Sequence, residues 1–315
     1  PVKVVPYFGS IDKPECHLLY NVTTMCTTWH TVATRDTRLL RRQLDAVNSL
    51  PKKYVFLNYL RCHDDIGWGL DYAWLHQNFG TDEVLHKRYL NDYFQGFAGN
   101  SNSRGELYND DITSGDARLC GTTASLCGIE KAGFEQDHEA MERAVQFDLT
   151  LHAMMFMQTG IPMLYSGDEL AQVNDYSYKD DPQKADDSRY LHRGRMRWEQ
   201  AEHIHDLKTP EGKVFCGLNA LVALRGTSLA FGTGADVWTL DTGDDGLLAI
   251  GRYAQGQKII GVFNFTEWEK RVTFVHDPGE FTDMLTGETC FLQDLVVPAY
   301  SFYYLEQGTG ISAGI

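Results

Sequence analysis

The sequence predicts an α/β domain followed by an antiparallel all-β domain. Three observations carry that prediction. Up to about residue 230, short apolar runs alternate with longer segments of helical period. After about residue 232, short strands recur at hairpin spacing. The dipeptides between those strands, Asp245-Gly246, Gln255-Gly256, Pro278-Gly279 and Thr286-Gly287, are turn formers.

Each element has its own reason. Thr28–Asn48 reads as an amphipathic helix, and Tyr54–Arg61 is a compact apolar run that suits a buried parallel strand. His138–Gln158 carries apolar residues at Met141, Val145, Leu149, Met154 and Met157, with Glu139 and Arg143 as an i,i+4 ion pair, so it predicts a helix. Ile161–Ser166 is a second apolar run closed by Gly167-Asp168-Glu169, and Val214–Leu224 another helix. The expected strands of the second domain are Val237–Leu240, Leu247–Tyr253, Lys258–Phe263, Arg271–Val275 and Tyr300–Leu305, which together read as a small sandwich. The Gly-rich residues from Gln307 on read as a frayed tail.

One segment, Trp68 to Gly115, fits neither scheme and is too long for an ordinary loop. It holds Trp68, Tyr72, Trp74, Phe79, Tyr89, Tyr93, Phe94, Phe97 and Tyr108. Most of these rings are expected to form the mini-core of an inserted subdomain, although aromatic faces also stack on sugars.

Composition narrows the partners. The 315 residues carry 28 Lys and Arg against 43 Asp and Glu, a formal charge of −15, which argues against nucleic acid. No apolar run approaches the roughly 18 residues that span a bilayer, and no signal-peptide pattern opens the chain. Neutral small molecules or sugars are the expected partners. Seven cysteines without metal-type spacing read as reduced thiols, which favours a cytoplasmic location. No metal ligand set stands out, since His203-Ile204-His205-Asp206 lacks a third placed ligand, and no cofactor is expected.

The strongest chemical signal is His63-Asp64-Asp65-Ile66-Gly67-Trp68, directly after the run Tyr54–Arg61. Charged residues at the carboxyl end of a parallel strand face the crevice where α/β proteins bind ligands. Two carboxylates and a histidine can grip hydroxyls, and one can sit beside developing positive charge. A capping turn that opens the next element is the equally weighted alternative, Asp being a good N-cap. Asp186-Asp187-Ser188-Arg189 with His192-Arg193 sets cations beside carboxylates, as an exposed salt-bridged loop also would. GxSxG, P-loop, GxGxxG and HExxH motifs are absent.

Taken in order, these motifs resemble the α-amylase superfamily, glycoside hydrolase family 13, and within it the amylosucrases. Tyr59–Trp68 looks like the seventh-strand motif, where the doubled Asp followed by Ile-Gly-Trp is the specific feature. Gly160–Glu169 is similar to the eighth-strand motif, Asp186–Arg193 to the stretch beyond it, and Ser114–Thr122 to the end of an inserted subdomain. The resemblance implies retaining cleavage of sucrose with transfer of the glucosyl unit to an α-1,4-glucan acceptor. It makes Asp64 the transition-state stabiliser and His63 its neighbour in the same subsite. Asp65 and Arg118 would face the fructosyl or acceptor side. Arg189 would salt-bridge an aspartate at the pocket floor.

In that family the nucleophile and the acid/base stand on the fourth and fifth strands of a (β/α)8 barrel. No Arg-x-Asp closes an apolar strand upstream of residue 54, and the chain begins with Pro1. A complete barrel takes about 250 residues, more than residues 1–232 offer once 68–115 are set aside as the insert. The expectation is therefore the last part of a TIM barrel, about strands six to eight, over 1–232. A sandwich over 233–306 and a tail over 307–315 would follow. Such a chain is expected to be inactive alone. Two rivals stand beside the glucosyltransferase: a sucrose hydrolase or α-glucosidase of the same fold, and a non-catalytic carbohydrate-binding half-barrel.

Overall fold

The computed structural model describes residues 2–10, 12–272 and 279–308. Its first part is built on three parallel strands, β1 (Leu18–Tyr20), β2 (Val55–Asn58) and β6 (Ile161–Pro162), with β2 in the centre. Each connection between them is helical, as parallel pairing demands. Helices α1 (Val22–Thr34) and α2 (Arg38–Asn48) lead from β1 to β2. Between β2 and β6 lie β3 (Ile66–Gly67), α3 (Tyr72–Phe79), α4 (Glu83–Phe94), β4 (Glu106–Tyr108), β5 (Arg118–Cys120), α5 (Thr123–Cys127), α6 (Ile129–Glu135) and α7 (His138–Met157). Helix α8 (Pro210–Thr227) follows β6 after a run of short 3-10 turns.

The helix expected over Thr28–Asn48 is two helices. Its first half starts earlier, at Val22, and its threonine hydroxyls fold back onto the helix. The hydroxyls of Thr27, Thr28, Thr31 and Thr34 each donate to the carbonyl four residues before. The break falls at Arg35, whose φ of 58° ends α1 in the left-handed region. Asp36 then accepts from the Arg38 N–H at 3.0 Å.

The segment 68–115 is no loop. It holds α3 and α4, capped by Asp71 and Asp82, and β4, which joins β3 and β5 on either side of the segment in an antiparallel sheet. Of the aromatics singled out there, Trp68, Tyr93 and Phe94 are buried, whereas Phe79 and Phe97 are exposed. The buried three do not form a separate mini-core but join the main core, Phe94 meeting Trp29 of α1 edge to face.

The C-terminal part departs from the expected sandwich. Six antiparallel strands form one sheet in the order β12 (Thr289–Phe291), β11 (Glu280–Asp283), β14 (Phe302–Gln307), β9 (Gln257–Asn264), β8 (Leu247–Ala254), β7 (Asp236–Leu240). A two-stranded ladder of β10 (Lys270–Arg271) and β13 (Val296–Val297) belongs to the layer over one face. The other face packs on α7: Leu248, Ile250, Ile259, Phe263 and Tyr304 share one cluster with Met154–Met157. The second sheet is thus reduced to a short two-stranded ladder on one face, and the opposite face is covered by a helix. Residues 273–275 of the expected strand Arg271–Val275, the Pro278 of one turn and residues 309–315 of the tail lie outside the described residues. The tight Gln255-Gly256 turn is as expected, both residues having positive φ between β8 and β9.

Two arginines fasten the end of α7, Arg252 from strand β8 of the sheet and Arg225 from α8. The buried Arg252 guanidinium donates to the carbonyls of Met157, Gln158, Ala230 and Gly232. Arg225 donates to those of Phe156 and Gly160. These are the carbonyls left open at and just beyond a helix C-terminus, where a cation is also favoured by the helix dipole. Among the described residues, no helix is long and apolar enough to cross a membrane. Replacing Arg252 by Met should lower unfolding free energy by about 2–4 kcal/mol, because buried carbonyls lose their donor. Urea denaturation that leaves the midpoint unchanged would refute this assignment.

Candidate active site

The carboxyl ends of β1 and β2 open into a cleft of about 710 Å³, lined by Tyr20, Thr23, Cys26, Tyr59, Cys62, His63, Asp64, Asp65, Gly67 and Arg118 among others. Four of the residues singled out from the sequence thus meet in one place: His63, Asp64, Asp65 and Arg118.

The path of the chain into this cleft is held residue by residue. The indole of the fully buried Trp29, on α1, donates to the Leu60 carbonyl at 2.7 Å. Arg61, buried, pairs with the equally buried Asp168 at 2.7 Å and lies over the Tyr165 ring. The Asp64 N–H points at the Cys62 Sγ at 3.4 Å. The His63 carbonyl accepts from Arg193 Nε at 2.5 Å and lies 3.4 Å from His192 Nε2. The Gly121 N–H donates to His192 Nδ1, so the ring proton sits on Nε2 and points at His63. Beyond the motif, buried Trp68 donates to Asn91 Oδ1 at 2.7 Å, and Asn91 in turn donates to the Gly115 carbonyl.

Held this way, the side chains of His63 and Asp64 stand free, about 60% exposed, with Nε2 and Oδ2 at 3.4 Å. Arg193 Nη2 approaches the other Asp64 oxygen at 3.8 Å. Asp65 is half-buried. Burial raises its proton affinity above that of an ordinary carboxyl, and Asp64 adds to the rise, whereas Arg118, Arg189 and Arg193 oppose it. Arg118, on β5, lies so close over β3 that a Cβ on Gly67 would meet its Nη1 at 1.9 Å. The absence of a side chain at Gly67 lets the Arg118 guanidinium lie there, and a Cβ would make it swing aside.

Arg189 does not line the cleft. Its guanidinium takes Asp187 bidentately, both contacts at 2.8 Å, and stacks on Tyr108 at 4.6 Å. The hydrogen bond from Arg189 holds the Asp187 carboxyl below the usual range. Arg189 reaches the site through its field on Asp65.

Sequence reasoning did not assign the supporting roles of Trp29, Arg61, Asp168, His192 and Arg193, although it named His192 and Arg193 in the charged stretch beyond the second apolar run. Arg61 and Asp168 were visible as strand-end charges, but no local signal pairs residues so far apart. A second buried pair, Asp148 with His152 at 3.1 Å, lies on α7 close enough to Asp168 for the charges to interact. Burial dominates at Asp148 and raises its carboxyl.

His203, His205 and Asp206 do not form a ligand cluster. Among the described residues, one trio of donors converges within ligand reach, Cys62, His63 and Asp64, which the sequence did not reveal as a set. All seven cysteines are free.

No protein-family model matches the chain. Its structure is similar to sucrose 6F-phosphate phosphorylase from Thermoanaerobacter thermosaccharolyticum, with a TM-score of 0.57 at 18% identity over 87% of this chain and 47% of that one. It is similar to AmyP in complex with maltose, with a TM-score of 0.59 at 12% identity over 98% and 53%. An Anoxybacillus α-amylase gives 0.53 at 16% identity over 99% and 51%.

Two outcomes test this architecture. Arg61→Met should cost about 3–5 kcal/mol by stranding Asp168, and the double variant with Asp168→Leu should recover much of it. Equal losses in single and double variants would mean the pair is not coupled. His192, buried beside Arg61, is pushed down to about 3 from its ordinary 6.5. The unfolded chain therefore binds the extra proton between those two values, so stability contributed by His192 falls as pH drops through that window. His192→Gln should flatten the slope of urea stability against pH there, and an unchanged slope would contradict it. The chain spans about half the length of the structures it matches and shares the fold of that portion of them.

Proposed function

We propose that this chain is the C-terminal part of a retaining enzyme of glycoside hydrolase family 13, one that splits sucrose and transfers the glucosyl unit to an α-1,4-glucan. The observation that carries this reading is the cleft at the ends of parallel strands, with Asp64, Asp65, His63 and Arg118 around it. On this reading residues 1–232 are barrel strands six to eight with their helices, 68–115 the insert, 233–306 the sheet domain and 307–315 a tail. Among the described residues β1 and β6 each pair only with β2, leaving outer edges that further barrel strands would cover. Leu18, Tyr20 and Val22 are exposed along one of those edges.

The chemistry follows from charge. Cleaving a glucosidic bond by the retaining route passes through an oxocarbenium-like state, with a carboxylate nucleophile and a carboxylic acid flanking the bond. Asp64 supplies a third, fixed negative charge beside that state, and its oxygens and the His63 ring accept or donate to the hydroxyls of the glucosyl ring. Such preorganised charge acts mainly on the transition state. Asp65, with its raised proton affinity, and Arg118 hold the leaving fructosyl unit or the acceptor. Arg189, held by Asp187 and Tyr108 outside the cleft, acts on the site only through its field on Asp65. The nucleophile and the acid/base belong to the portion of the barrel that precedes this chain.

The isolated chain is therefore expected to release no fructose from sucrose, while the complete enzyme yields fructose and insoluble glucan. In the complete enzyme Asp64→Asn should lower kcat by on the order of 10²–10³. Equal release of glucose and fructose would assign a hydrolase instead. Fructose release by the chain alone would overturn the proposed division of the active site.

A further inference from the structure

We propose that Cys62, His63 and Asp64 form a binding site for a soft divalent cation of the zinc type in the wall of the cleft. The Cys62 Sγ, a ring nitrogen of His63 and a carboxylate oxygen of Asp64 all lie within 4.8 Å of one another. Consecutive residues of an extended chain point to opposite sides and do not converge in this way. The turn after β2 overrides that alternation. The Asp64 N–H folds back onto the Cys62 Sγ, while Arg193 and His192 engage the His63 carbonyl.

The donors select the ion. Thiolate, imidazole and a single carboxylate are ligands of zinc, whereas magnesium and calcium call for oxygen donors alone. Zinc bonds of about 2.0–2.3 Å in a tetrahedron put donor atoms roughly 3.3–3.8 Å apart. Small side-chain rotations therefore bring the trio to ligand distance. Three protein donors leave the fourth position to a water on the cleft side, the pattern of an open zinc site. On binding, the Cys62 thiol gives its proton to solvent and its sulfur lone pair to the metal, with no change of oxidation state. The Arg193 guanidinium, 3.8 Å from Asp64, is the competing cation that the metal displaces.

The metal would occupy two groups that the proposed sugar site uses, so in the complete enzyme it acts as an inhibitor and not as a cofactor. That consequence rests on the proposed function; the binding test does not. Co²⁺ serves as the spectroscopic probe and is titrated into this chain. A saturable thiolate-to-cobalt charge-transfer band is expected, bleached by Zn²⁺ and abolished by Cys62→Ser. The band should survive Cys16→Ser, the control for an exposed thiol that sits next to His17. Because Cys62 is buried, Asp64→Asn guards against a folding defect: the side chain is exposed, and its loss should weaken Zn²⁺ about tenfold or more against a chromophoric chelator. No band in the unaltered chain, a band that outlives Cys62→Ser, or unchanged Zn²⁺ affinity in Asp64→Asn overturns the proposal.

Discussion

The buried ion pair between Arg61 and Asp168 is the constraint on which the cleft depends. Two charges taken out of water cost several kcal/mol each, and that cost is offset only when geometry and further hydrogen bonds are favourable. Arg61 meets those conditions: it bonds Asp168 at 2.7 Å, reaches the His192 carbonyl and lies on the Tyr165 ring. Its three contacts come from the segment that follows β6, so the ends of β2 and β6 are locked together just below the cleft. His63 and Asp64 come next in the chain and can stand exposed because the backbone beneath them is fixed.

The same economy of charge appears one layer down. α7 carries the Asp148–His152 pair on the side toward Asp168, and its far end has its carbonyls satisfied by Arg225 and Arg252. The cationic side chains at that end, Arg252 buried and Arg225 half-buried, face carbonyl dipoles in place of a carboxylate. Tyr304 adds a hydroxyl donated to the Ala153 carbonyl at 2.6 Å. The C-terminal sheet is thus bound to the same helix that underlies the candidate site, and one apolar cluster runs through both.

The inserted segment also takes part in building the cleft. Asn91 on α4 joins Trp68, at the exit of the His63–Trp68 motif, to Gly115, just before Arg118. β3 and β5 then place Arg118 against Gly67, where the lack of a side chain lets the guanidinium approach. The two arms that carry Asp65 and Arg118 therefore share one anchor in the insert.

The sequence by itself determined the order and type of the main elements, because periodicity in apolar residues records which face of a helix or strand is buried. It also placed His63-Asp64-Asp65 at a strand end, since that position follows from chain order alone. Connectivity carries that information over a few residues. What only the tertiary structure decided are relations across long separations. Arg61 and Asp168 stand 107 positions apart and Thr37 meets Leu247 across 210, distances over which no local pattern operates. The same limit hid the packing of the C-terminal sheet on α7. The converging donors of Cys62, His63 and Asp64 belong to this class too, despite being neighbours in sequence. Their meeting depends on a backbone turn fixed by Arg193 and His192, which are distant in the chain and near only once it has folded.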